Sequence, residues 1–247
     1  MRATFPLMLA LWLAVPAPAT AQAGVHMAAL AKAPAQADDR IAKEDKRFER
    51  VAVLIATQKP DKAVKLLDDI IDDQEKAHRG ETRQVYCART GSETLAYAAM
   101  GAKTGKETVV LGPDWCMGIF LKGFALIDLR RPDEAKPLFD RAVAMAPLNA
   151  QFLGELAEWH KTRRAWSEAY ALYERALAAS EFSPDDMKSH DKRRAMRGLG
   201  FVLIEQGKLE EAEAMFRKVL AIDPGDKGAK SELQYIEEQR AKQPKRT

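Results

Sequence analysis

Residues 199–224 read LGFVLIEQGKLEEAEAMFRKVLAIDP. Within them Leu199, Gly200, Leu203, Gly207, Ala212, Phe216, Leu220 and Pro224 are spaced as one helix, a tight turn and a second helix. The same order of small, bulky and small residues recurs upstream: Ala135, Phe139 and Ala142 become Ala169, Tyr173 and Ala176, and then Ala212, Phe216 and Val219. A short insertion precedes the third copy. Gly123, Ala157 and Gly200 stand where a small side chain lets the first helix of each unit approach the second, and the alanines are the matching small residues across the crossing. Phe139, Tyr173 and Phe216 return on the same helical face and are expected to fill the space between units. Pro147 and Pro224 follow their helices by a few residues and stop them. The second unit has Glu181 in place of that proline, with Pro184 just beyond, so its second helix is expected to run longer.

This self-similarity, at a period of about 34 residues, resembles the tetratricopeptide repeat (TPR), a helix-turn-helix unit stacked into a solenoid. The resemblance covers residues 116–224 and extends weakly over 40–240. It implies an all-α, right-handed superhelical solenoid of helical pairs with a C-terminal capping helix, and a scaffold that binds protein or peptide segments. Asp226 is placed to cap that last helix, whose Ala229, Leu233 and Ile236 form one apolar stripe under a charged outer face, the design of a solenoid's terminal cap.

Outward from the repeats, residues 40–115 read as a less regular, degenerate helical region. Leu54, Ala63, Leu67 and Ile70 repeat the repeat spacing, with Lys59-Pro60-Asp61 as the turn and Pro60 suited to a first helical turn. Glu81 to Arg89 and Ser92 to Lys103 read as a second weak helical pair, with Ser92 as the N-cap of the latter. Thr108 to Leu111 is β-branched and apolar before Gly112-Pro113, which suits extended chain.

The first residues carry an address. Met1-Arg2 precedes the apolar run Phe5 to Val15, then Pro16, Pro18 and Ala19-Thr20-Ala21-Gln22-Ala23, which offers two overlapping A-x-A sites. Residues 1–23 are thus expected to be a cleaved signal peptide, since the apolar run falls short of the about 20 residues a spanning helix needs. The mature chain is expected to begin at Gly24, or at Gln22 by the other site, in a periplasm, with no stable membrane insertion. Residues 24–39 read as a flexible alanine-rich linker and 241–247 as a solvated basic tail.

With 247 residues, 47% of them apolar and 30% charged, and a formal charge of +3, the chain has the composition of a globular protein with no drive toward nucleic acid. The chemistry search points away from an enzyme, cofactor or metal site. Gly101 to Thr108 mimics a phosphate loop but has one residue too few between its glycines and Glu107 where Ser or Thr must hold magnesium. Ser92 lacks the second glycine of a nucleophile elbow, and the histidines stand apart from ligand partners. His160 reads as packing. The alternative keeps a catalytic role in the irregular 80–115 segment, which would need His or carboxylate groups converging near Cys87.

Two readings stand for Cys87 and Cys116: one disulfide stapling the irregular segment to the first clear repeat, or two separately buried thiols. A bridge needs Cα atoms within about 7 Å.

In the TPR family the first helix of each unit lines the concave face, and residues three or four apart share a stripe. The first stripe is then Met117, Phe120, Phe124 and Ile127; the second Gln151, Gly154, Glu158 and Lys161; the third Arg194, Arg197, Phe201 and Ile204. The expected groove is apolar with a basic end. The family's carboxylate clamp is not reproduced, since Phe120 and Phe124 stand where its Lys and Asn would be. An apolar and acidic segment anchored on Phe120 and Phe124 and paired with Arg194 or Arg197 is one expectation; phenylalanines covered by the chain's own N-terminal helices is the other.

Overall fold

The computed structural model describes residues 35–242, with side chains from residue 46 onward. The chain divides into two units, one ending at Lys43 and a compact one beginning at Glu44. Of the first unit the residues from Ala35 are helical, inside the stretch read as linker, while the signal-peptide reading lies outside the described residues. The elements are α1 (Ala35–Ala56), α2 (Pro60–Ala77), β1 (Gln84–Cys87), α3 (Gly91–Thr104), β2 (Thr108–Leu111), α4 (Asp114–Asp128), α5 (Pro132–Met145), α6 (Ala150–Thr162), α7 (Trp166–Ala179), α8 (Asp185–Glu205), α9 (Leu209–Ile222) and α10 (Lys227–Lys242).

Three hairpins, α4/α5, α6/α7 and α8/α9, stack on one another, and α2 packs on α4 as the second helix of a preceding unit. Each turn between the helices of a pair places one residue in the left-handed region: Gln58, Arg130, Arg164 and Gly207. That common backbone geometry is a stricter mark of repetition than the side chains, because only Gly207 adopts it without strain. Pro60 and Pro132 open their helices, where a missing N–H costs nothing. Asn149 caps α6 by accepting from the N–H groups of Gln151 and Phe152, and Asp226 caps α10 by accepting from Ala229.

The small-to-large pairing expected from the repeats is present. A Cβ on Gly123 would stand 2.8 Å from the Phe139 ring, and one on Gly200 would stand 2.6 Å from the Phe216 ring. Phe139, Tyr173 and Phe216 are buried, and losing one to alanine in such a core costs about 3–5 kcal/mol. Leu67 and Ile70 of α2 are likewise fully buried, in a cluster with Val51 of α1 and Ala125 of α4. Beyond α7 the chain continues as one 3-10 turn, Ser180–Phe182, before Pro184 opens the next helix, so the extension expected there takes a tighter form.

The segment between α2 and α4 departs from the sequence expectation. Residues 84–87 form a strand where Glu81 to Arg89 reads as a helix, and β1 pairs in parallel with β2 in the register Gln84↔Thr108 to Cys87↔Leu111. The run Val85-Tyr86-Cys87 is too short to show alternation, and its partner lies some twenty residues away, so the pairing has no local signature. Helix α3 is the crossover of this β-α-β insert. Its cap is Thr90, not Ser92: Thr90 is extended, and its Oγ1 accepts from Glu93 N at 3.1 Å. Tyr97 and Glu93 of α3 are buried. Glu93 takes three hydrogen bonds from Arg89, and the Tyr97 hydroxyl accepts from Leu148 N at 3.1 Å in the loop before α6. Of the two cysteine readings the disulfide holds: Cys87 of β1 is bonded to Cys116 of α4, with Cα atoms 6.2 Å apart.

Candidate binding groove

Helices α4, α6 and α8 are the first members of their pairs, and α6 packs on α8 as well as on its own partner. The three expected stripes lie on these helices, and the structure sorts their residues into two kinds. Phe120 is a core residue, only 1% exposed, stacked on Phe152 with centroids 4.4 Å apart and tilted against Phe139. Its ring is covered by Phe139 and Phe152 of the repeat core. Its place as an anchor in an open groove is therefore corrected: the ring faces α5 and α6. Met117 and Phe124 are half-buried, and Ile127 is open to solvent at 38%.

Ile127 borders a cavity of about 350 Å³, whose other walls are Pro132, Phe139, Glu155, Trp159 and Arg163. Trp159 is held rigidly there, because its Nε1 donates to the Pro132 carbonyl at 2.9 Å and the Arg163 guanidinium lies 3.6 Å over its ring. Arg163 is itself paired with Asp133. Arg130, at the left-handed turn position, reaches the rim and carries no ion pair among the described residues. Neither Trp159 nor Arg130 belongs to the stripes drawn from the sequence. Trp159 lies beside Glu158 on α6, and only the turn geometry swings Arg130 toward it.

A second cavity, of about 210 Å³, lies between α6 and α8 and brings together Glu158, Lys161, Arg194, Arg197, Phe201 and Glu232. Five of these are expected groove residues, so the second and third stripes do converge. Glu232 comes from the capping helix, which sequence spacing gave no reason to place here.

The basic end of this groove is internally neutralised. Arg194 donates to Glu155 at 2.7 Å, Arg197 pairs with Asp226, and Lys161 pairs with Glu158 at 2.6 Å while lying 4.8 Å over the Phe201 ring. Burial pushes the Glu155 carboxyl above its ordinary value, opposed by Arg194. Burial likewise raises the Tyr173 hydroxyl, which stays protonated and donates to Glu158. Burial pushes Glu232 up too, against the field of Lys161. For Asp226 burial acts upward, but the Ala229 N–H, Arg197 and Arg193 outweigh it and hold the carboxyl below its usual range. Ile204 is half-buried and packs on the cluster around Leu203 and Phe216.

Chemically these cavities can hold side chains and pair with charge. Among the described residues no three His, Cys, Asp or Glu groups gather at metal distance. In the insert, Glu93 is committed to Arg89, and neither cavity borders Cys87.

Residues 148–224 match the family model described as tetratricopeptide repeat. No curated protein sequence matches the chain. Among solved structures, one of Pseudomonas aeruginosa PilF is similar at 14% identity and TM-score 0.56, covering 82% of this chain and 71% of that one. The MamA RS-1 ArsTM double mutant is similar at 13% identity and TM-score 0.52, with 80% and 85% covered. A Podosopora anserina putative kinesin light chain with nearly identical TPR-like repeats is similar at 16% identity and TM-score 0.52, with 81% and 92% covered. These three likenesses are of fold.

Proposed function

Since residues 148–224 match the tetratricopeptide repeat and the hairpins stack as in that fold, we propose that the chain acts as an exported scaffold, holding a segment of a partner protein on the face formed by α4, α6 and α8. The observation that carries this reading is the cavity beside Ile127. It is apolar in its floor, its Trp159 wall is fixed by a hydrogen bond, and among the described residues the charges around it are paired except Arg130. A segment fitting it presents one bulky apolar side chain next to a carboxylate, the first entering between Ile127 and Trp159 and the second meeting Arg130. Pre-organised walls matter because they reduce what binding must spend on ordering side chains.

The periplasm is the proposed compartment, and an envelope-associated assembly the proposed setting. The composition of residues 1–23 supports export, and a Cys87–Cys116 bond fits an oxidising compartment. No described helix is long and apolar enough to cross a membrane.

A displayed random-peptide library panned on the chain from Gly24 onward tests the reading. Enriched peptides are expected to carry an aromatic or branched apolar residue beside Asp, Glu or a terminal carboxylate, and to lose binding on Ile127→Asp. Enrichment of sequences indifferent to both Ile127→Asp and Arg130→Glu would overturn it.

A further inference from the structure

Among the described residues, the β-α-β insert leaves one strand edge unpaired. Elements α4 and α5 pack against β1, which is also bonded to α4 through Cys87, whereas β2 packs chiefly on β1 and α3 among the described residues. The ladder bonds fix which way β2 points its backbone. Gln84 N donates to Glu107 O and Ala88 N to Leu111 O, so the odd-numbered residues of β2 face β1 and the N–H and C=O groups of Thr108 and Val110 face outward. The strand sequence Thr-Val-Val-Leu is uncharged and mostly β-branched, with no lysine or proline to discourage pairing.

The helix above this sheet is unusual in the same direction. Tyr97 of α3 stacks on Tyr86 of β1 with centroids 5.0 Å apart, and Gly101 lies so close to Thr108 of β2 that a Cβ would collide with it. Helix α3 therefore sits over the middle of the strand pair. Its outward face is nonetheless apolar, with Leu95 exposed at 74% and Ala98, Ala99 and Ala102 exposed beside it. Exposed apolar side chains gathered on one helix face mark a contact surface.

We propose that the open edge of β2 pairs antiparallel with the same edge of a second copy of this chain, giving a four-stranded sheet across a two-fold axis. With Val110 opposite Val110, the outward backbone groups of Thr108 meet those of Gly112 of the second copy. Each contact is then repeated by the axis around an uncharged centre, which is the self-complementarity a two-fold contact requires.

The helices settle the choice of a second copy over a foreign strand. Strands lie about 4.8 Å apart, so two α3 helices each centred over its own strand pair come to lie about 10 Å apart on one face of the joined sheet, the spacing of packed helices. They run antiparallel, and their alanines permit that approach. The repeat hairpins attach on the β1 side.

Light scattering on the size-fractionated chain from Gly24 onward, at tens of micromolar, tests this. The chain is expected at twice its monomer mass, and Val110→Pro and Ala98→Glu are each expected to return it to monomer mass with the helical melt retained. The proline removes only an outward N–H, and the glutamate sits on an exposed helix face. A wild-type monomer overturns the proposal, as does a dimer that either variant leaves intact. Should Val110→Pro fail to fold, Ala98→Glu decides by itself.

Discussion

Arg194 Nη2 donates to Glu155 Oε1 at 2.7 Å, joining α8 to α6 across adjacent repeats, and both side chains are about one-fifth exposed. The pair is buried enough that each ion depends on the other. Arg194→Met should destabilise the fold by about 1–3 kcal/mol, less than for a fully buried pair, and adding Glu155→Gln should restore much of it.

The pH dependence has a definite sign. Burial already raises the folded-state pKa of Glu155, and removing Arg194 raises it further. A carboxyl with a raised folded pKa favours folding below its unfolded value and loses that contribution as pH rises through the folded one. Urea titrations of Arg194→Met should therefore show a larger deficit against wild type at about pH 8 than at about pH 5. Equal deficits would mean that Glu155 is not the strained partner.

The Cys87–Cys116 bond closes a loop with a sequence separation of 29. Chain-entropy estimates for a loop of this size give roughly 3–4 kcal/mol of stabilisation. Urea midpoints of the Cys87→Ala/Cys116→Ala chain should fall accordingly, and amide exchange should rise first in β1 and α3. Mass spectrometry without reductant that found both thiols free would contradict the bond.

Arg164 holds a left-handed backbone at φ 59° in the turn between α6 and α7, where the third repeat uses Gly207. Arg164 is exposed, and relief of its backbone strain should make Arg164→Gly more stable by about 0.5–1 kcal/mol despite the greater freedom of glycine in the unfolded chain. A thermal melt checks this, and a lowered midpoint would show that the side chain holds the turn.

The repeat core was legible because its signals are local. Gly123 with Phe139 and Gly200 with Phe216 lie within one helical hairpin, and the positions recur at nearly constant spacing. The insert was not, since Val85 pairs with Val109 through a crossover that no short window contains. Phe120 illustrates a second limit. Stepping three and four residues along α4 joins it to Ile127, yet the ring turns onto Phe152 while Ile127 faces solvent. A helical stripe has width, and its two margins can meet different surroundings. The groove charges fail for a related reason: Arg197 reads as a free cation until the loop before α10 brings Asp226 to it.

The most direct measurement places a benzoyl-phenylalanine crosslinker at position 127 and, separately, at the exposed position 218 on α9, and irradiates each with a library-selected peptide. Capture at position 127 that an excess of unlabelled peptide competes away, with little capture at 218, is the result expected of a peptide seated against Trp159. Equal capture at the two positions, or capture at 127 that survives Arg130→Glu unchanged, would contradict the assignment of that cavity as the binding site.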